Sequence, residues 1–216
     1  MNLTIDVISD VICPWCYIGK RRLEKAIAIA GCGDARVRWH PFQLNPAMPK
    51  VGIKRKEYRS SKFGSWERSL ALDAKVAAAG RTEGIQFAFE KIERTPNTLD
   101  AHRLIWLAGQ EGVQDAVVES IFRAYFSEGR DITDIPTLLN VVTVAGIDRS
   151  RAEILLNGDE GMAALRAAED QSRRAGIEGV PFFTINNRIS MSGAMDASAF
   201  LDSFKQAGLE IAPSSS

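Results

Sequence analysis

The sequence predicts an α/β fold interrupted by a large all-helical insertion. A strand, helix, strand order at the N-terminus is answered by a strand, strand, helix order at the C-terminus, and the long stretch between them carries helical periodicity. A Cys-Pro-Trp-Cys turn also falls where the first strand hands over to the first helix. Residues 1–50 and 176–216 are expected to form one discontinuous α/β domain of βαβ plus ββα pattern, and residues 51–175 the helical insertion.

Leu3 to Ile8 is rich in Ile and Val and alternates loosely, as a buried strand does. From Tyr17 to about Ala30, apolar residues at Ile18, Leu23, Ala26, Ile27 and Ala30 recur at helical spacing, with Gly31 and Gly33 as stop signals. Val37 and Trp39 then alternate with Arg36 and Arg38, extending as far as Phe42, to give a second strand that ends in the Pro46 to Pro49 loop. This order makes a right-handed βαβ unit.

In the central stretch, Asn97 or Thr98 caps a helix whose face holds Ala101, Leu104, Ile105 and Ala108. Another helix runs from Gln114 to Phe126, and others are expected near 134–145, 149–157 and 160–175. The strand signal returns at Phe182 to Ile185 and Arg188 to Met191, flanking Asn186-Asn187, a pair that tolerates the positive φ of a tight hairpin. Asp196 caps a last helix through Phe204, Gly208 ends it, and Pro213 to Ser216 reads as a frayed tail.

Composition excludes several functions. Lys and Arg total 27, as do Asp and Glu, so the chain lacks the positive field of a nucleic-acid binder. No stretch approaches the roughly 18–20 apolar residues of a membrane span, and Asp6 interrupts the first apolar run, so no secretory signal is expected. These features predict a cytoplasmic protein without membrane or nucleic-acid partners. Three cysteines are too few for a disulfide framework, and in a reducing compartment a close pair points to catalysis or metal binding.

Cys13 and Cys16 are that pair. At the start of a helix, unpaired N–H groups and the positive end of the helix dipole stabilise a thiolate. Cys13 is therefore the expected nucleophile, and Cys16, one turn on and more buried, is placed to resolve a mixed disulfide. A structural zinc site would need four ligands, and beyond the pair the chain offers only Cys32, His40 and His102, with no second CxxC. No metal is expected. Gly179-Val180-Pro181-Phe182 sets a proline at the start of a strand, where the missing N–H is tolerated.

The chain resembles the DsbA-like branch of the thioredoxin fold, and within it is similar to the FrnE-type subfamily. The resemblance spans nearly the whole sequence, through Ser9-Asp10-Val-Ile-Cys-Pro-Trp-Cys16, Pro41-Phe42-Gln-Leu-Asn-Pro46, Arg94-Thr-Pro-Asn-Thr-Leu-Asp-Ala-His-Arg-Leu104, Phe126-Ser-Glu-Gly-Arg-Asp-Ile132 and Gly176-Ile-Glu-Gly-Val-Pro-Phe-Phe183. It implies a thiol–disulfide oxidoreductase without a tightly bound cofactor. It also implies a cis Val180–Pro181 bond beside the Cys13 sulfur, with Val180 supplying backbone groups to an extended substrate and Pro181 the shape. The partners it implies are protein thiols and disulfides or a small-molecule substrate, with a thioredoxin or glutathione system as redox donor. Glutathione is the expected co-substrate, and the oligomeric state is expected to be a monomer or dimer.

Two features depart from the family pattern. The position of the buried acid in the first strand holds Val7, and Asp6 would face the other side of the sheet. Asp10 is the better candidate for tuning the turn, alongside a turn or capping role. Pro14 and Trp15 also offer no cation between the cysteines.

Other residues invite less. Cys32 reads as a loop thiol, His40 as a strand residue and His102 as a helix residue hydrogen-bonded near the domain interface. Lys50 to Arg68, with Lys54, Arg55, Lys56, Arg59, Lys62 and Arg68 among Tyr58, Phe63 and Trp66, reads as a solvated loop and first helical turn over the active-site face, at the substrate rim. A glutathione-dependent isomerase or transferase, like the related 2-hydroxychromene-2-carboxylate isomerases, is the alternative, but those relatives carry Ser at the Cys13 position. A binding or chaperone module would retain its function when both cysteines are replaced. Because the dipeptide lacks a cation, the pair should be less oxidising than that of DsbA at about −120 mV and nearer thioredoxin at about −270 mV. Equilibration against glutathione should give a potential below roughly −150 mV, and a higher value refutes this.

Overall fold

The computed structural model describes residues 3–209; the expected tail at 213–216 lies outside them. Strand β1 (Thr4–Ser9) alternates, with Ile5, Val7 and Ser9 buried and Asp6 on the opposite face. Helix α1 (Pro14–Ile29) follows. It starts three residues earlier than apolar periodicity suggests, because a proline with fixed φ and no N–H suits a first helical position. Gly31, at φ 67°, turns the chain out of the helix, and β2 (Arg36–Pro41) returns parallel to β1 with Val7 opposite Trp39.

The strands β5 (Phe182–Ile185) and β6 (Ile189–Ser192) complete a mixed sheet of order β2-β1-β5-β6. β5 runs antiparallel to β1, and its hairpin to β6 turns on Asn186 and Asn187 at φ 49° and 54°. The final helix α9 (Ala197–Gln206) packs against α1 and buries Phe200 and Phe204. Asp196 stands at its N-cap position, but the side chain makes no cap there and instead pairs with Arg22 at 2.9 Å.

The intervening segment is helical, as expected: α2 (Arg55–Phe63), α3 (Trp66–Thr82), α4 (Leu99–Gln110), α5 (Gln114–Phe122), α6 (Ile135–Val144), α7 (Arg149–Asn157) and α8 (Met162–Arg174). Asp134 and Asp148 cap α6 and α7 by accepting from Thr137 N and Arg151 N at 2.9 Å. Ahead of α4 the cap is subtler. Thr98 occupies the N-cap position without a side-chain bond, and Asn97 Oδ1 accepts from Leu99 N at 2.9 Å. The segment also holds a short antiparallel ladder, β3 (Ile53–Lys54) with β4 (Arg94–Thr95). This ladder and α2 correct the reading of residues 50–68 as a solvated loop and first helical turn: the helix is longer than one turn, and Arg55 is buried.

Aromatic packing joins this segment to α1. Tyr17 stacks on Phe122 at 5.0 Å between centroids and meets Phe87 edge-on at 6.1 Å. Beside it the buried Lys20 pairs with Asp115 at 2.9 Å and with Glu24, and Trp39 Nε1 donates to Asp115 Oδ1 at 3.0 Å. Burial and the Glu119 carboxylate push the Tyr17 hydroxyl up to about 12, so it stays a donor to Glu119 Oε1 at 2.9 Å.

After α5 the chain opens into a π-helical turn (Arg123–Ser127), closed by Gly129 at φ 71°. A Cβ on Gly129 would lie 2.4 Å from Lys91 Cβ and 2.9 Å from the Lys91 carbonyl. Gly129→Ala should therefore cost about 2–4 kcal/mol, from left-handed strain plus overpacking. Thermal denaturation should show a fall of roughly 5–15 °C, and an unchanged Tm would refute this account.

Candidate functional site

The turn between β1 and α1 brings the two cysteines to the carboxyl end of β1. Cys13 occupies the N-cap position of α1, and Cys16 N donates to the Cys13 carbonyl at 3.0 Å. Cys13, Cys16 and Cys32 are free thiols. Cys13 is 6% exposed and Cys16 1%, so the first is the more accessible, while Trp15 between them is 40% exposed.

The Val180–Pro181 peptide is cis, in agreement with the family expectation. The Cys13 thiol donates to the Val180 carbonyl at 3.5 Å. Gly19 permits this approach: a Cβ there would lie 3.0 Å from the Phe183 ring and 3.2 Å from Pro181 Cγ. The sequence does not single out Gly19, since a lone glycine within a helical pattern does not reveal what it touches.

Asp10 anchors the turn from beneath. Its backbone carbonyl accepts from Cys13 N at 3.0 Å. Its carboxylate, with no exposed surface, accepts from Leu44 N at 2.7 Å and lies 3.2 Å from His102 Nε2. The side chain thus does not cap α1; that reading gives way to a buried link between the turn, the loop after β2 and α4. His102 is hydrogen-bonded, as expected, and the structure supplies its partner.

Cys16 sits against this anchor. Burial pushes its thiol well up, the neighbouring Cys13 adds to the rise, and a backbone hydrogen bond at Asp10 opposes it. The buried sulfur is therefore held as a neutral thiol, a poor nucleophile until its proton is removed.

A cavity of about 330 Å³ opens beside Cys13, bounded by Trp15, Leu44, Phe63, Val76 and the π-turn residues Tyr125 and Phe126. Arg55 and Arg59 lie in its wall and share one carboxylate: Arg55 donates to Asp73 Oδ2 at 2.7 Å and Arg59 to Asp73 Oδ1 at 2.6 Å. Lys62 donates to Tyr58 Oη at 2.9 Å, and the Tyr58 hydroxyl in turn donates a hydrogen bond to Asn45 Oδ1 at 2.5 Å. That order fixes the Asn45 amide and leaves Nδ2, sealed from solvent, without a partner among the described residues.

The remaining candidates lie elsewhere. His40 pairs with Asp6 at 2.6 Å on the other side of β1, where Arg38 also holds Asp6. Burial would raise the Asp6 carboxyl, but hydrogen bonds from Arg38 and His40 outweigh it and hold the group low. Cys32 lies in the turn after α1, its thiol 3.5 Å from the Ala30 carbonyl. Among the described residues no three His, Cys, Asp or Glu side chains converge to hold a metal ion.

A redox-type cysteine turn facing a cis-proline on a βαβ–ββα sheet defines a thioredoxin-fold protein. Residues 4–205 match the model of the DSBA-like thioredoxin domain, and the chain belongs to that family. It is similar to a probable DsbA oxidoreductase from Streptomyces coelicolor, at 29% identity and a TM-score of 0.88 over 100% of this chain and 94% of that one. It is also 27% identical to YwbO of Bacillus subtilis, an uncharacterized protein, over 88% of this chain and 90% of the relative. The cytosolic disulfide reductase DsbM from Pseudomonas aeruginosa, in a structure with GSH, shares the fold at 20% identity and a TM-score of 0.63, over 95% of this chain and 98% of that one. No described helix is long and apolar enough to cross a membrane.

The unequal burial of the two thiols has a direct readout. At neutral pH, iodoacetamide should label Cys13 at least about tenfold faster than Cys16, with Cys16 reacting only in alkaline solution or on unfolding. Peptide mapping of the alkylated protein checks this, and equal labelling at neutral pH contradicts it.

Proposed function

We propose that the protein is a thiol–disulfide oxidoreductase in which Cys13 attacks and Cys16 resolves. The observation that carries this reading is the Cys13 sulfur at the start of α1, 3.5 Å from the Val180 carbonyl, with Cys16 one turn behind it. In the reductive direction the Cys13 thiolate attacks one sulfur of a substrate disulfide and expels the other as a thiolate, forming a mixed disulfide. Cys16 then loses its proton and attacks Cys13 Sγ. This releases the second thiol and leaves a Cys13–Cys16 disulfide.

Val180 and Pro181 position the partner, Pro14 and Trp15 shape the turn, and Asp10 tunes it by fixing the strand end on which both cysteines depend. A thioredoxin-type dithiol or glutathione restores the dithiol form. DsbM, which shares the fold, has a solved structure with GSH, and this supports glutathione as the small-thiol partner. The same reading places the protein in the cytoplasm, where such a donor keeps the pair cycling. It also takes residues 1–50 with 176–216 as the redox domain and 51–175 as the insertion that walls the site.

Trapping tests the reading. In a Cys16→Ser variant the mixed disulfide at Cys13 cannot be resolved, so an adduct should accumulate in cells and be identified by mass spectrometry. No Cys13 adduct, together with no insulin-reductase activity in the wild type, rejects the oxidoreductase reading.

A further inference from the structure

The cavity beside Cys13 carries more positive charge than its walls neutralise. Arg55 is 4% exposed and Arg59 is largely buried, yet one carboxylate, Asp73, serves both guanidinium groups. Two further cations, Lys62 and Lys75, line the cavity, and neither forms an ion pair among the described residues. Asn45, whose Nδ2 has no partner among the described residues, also lines the cavity. Burial and the neighbouring Arg55 oppose the pull of Asp73 and lower the proton affinity of Arg59, which fits a cluster short of negative charge.

The rest of the lining is apolar and aromatic. Tyr125 and Phe126 reach it from the π-helical turn, a local irregularity that often marks functional positions. At about 330 Å³ the cavity lies at the small end of ligand sites and far below what a folded partner would need. Cys13 forms part of its wall, so an occupant lies beside that residue.

We propose that this cavity binds a low-molecular-weight disulfide whose aromatic body carries a carboxylate. The ring lies among Phe63, Tyr125 and Phe126, the carboxylate faces Arg59 and Lys62, and the sulfur faces Cys13. This inference rests on the thiol–disulfide reading above and narrows its substrate class. Each exchange balances as follows: the reduced protein converts one disulfide to two thiols and becomes the Cys13–Cys16 disulfide, and a dithiol or two equivalents of glutathione restore it.

A pair of aryl disulfides tests the proposal. Reduced full-length protein in a Cys32→Ser background is mixed with dithiobis(nitrobenzoate), which has a carboxylate on each ring, or with dithiodipyridine, which is uncharged at neutral pH. The readout is the ratio of the two second-order rate constants for thiol release, normalised to the same ratio for free glutathione. The wild-type ratio should favour the carboxylate by about tenfold, the worth of one charge-assisted hydrogen bond. Arg59→Gln should erase most of that preference, and Lys62→Gln, on the exposed rim, should lower it about twofold or more.

A normalised wild-type ratio near one overturns the cavity proposal, and so does a ratio unmoved by both variants. Should Arg59→Gln fail to fold, the wild-type ratio and Lys62→Gln decide the matter alone. The two readings fail separately. Release of thiol from both disulfides without preference sinks the carboxylate site and leaves the oxidoreductase standing, whereas no release from either disulfide sinks both.

Discussion

A carboxylate with no exposed surface must find donors, and around Asp10 this requirement organises the site. An ionised carboxylate left unpaired in the interior costs several kcal/mol or more. Asp10 meets that demand with Leu44 N at 2.7 Å and His102 Nε2 at 3.2 Å, while its backbone carbonyl holds Cys13 N at 3.0 Å. The partners come from the loop after β2 and from α4. The cysteine turn therefore cannot shift without leaving a buried carboxyl group unpaired, and its sulfur stays aligned with Val180.

A second set of contacts fixes α1 from its other side. Tyr17, adjacent to Cys16, is gripped by Phe122 and Phe87, and the Lys20 ion pairs bind the next turn to α5. Buried ion pairs add little net stability, since desolvation offsets much of their attraction, but breaking one is expensive. Their effect here is geometric. They hold the helical segment against α1 at the height where Tyr125, Phe126 and α2 close the cavity next to Cys13.

What the sequence discloses and what it conceals follow from the range of the interactions. The cysteine turn, the Val180-Pro181 pair and the Asn186-Asn187 hairpin are local signals, and each appears where it was expected. Apolar periodicity places the start of α1 three residues late because Pro14 and Trp15 add nothing to it, although proline at the first position is itself a start signal. The partners of Asp10 lie 34 and 92 residues away, beyond any periodicity. Arg55 and Arg59 sit in a charge run that reads as solvated, and only the fold reveals that both turn inward onto Asp73. The π-helical turn is equally hidden, since the apolar pattern from Gln114 runs through it unbroken.

Cys13 thus stands between two unlike surfaces. On one side lies the backbone at Val180 and Pro181; on the other, a cavity wall of aromatic and cationic side chains with Lys62 at its exposed rim. In the proposed exchange each step places negative charge on a departing sulfur, and electrostatic interactions act more strongly away from bulk water than in it. The Arg55 and Arg59 guanidinium groups, with one carboxylate between them, would favour that charge as well as the anionic occupant proposed above. This joint effect gives a physical reason for a long helical segment between the two halves of a fold that could carry a cysteine pair without it. The segment supplies the cationic and aromatic walls of the cavity, for Arg55, Arg59, Phe63, Tyr125 and Phe126 all belong to it.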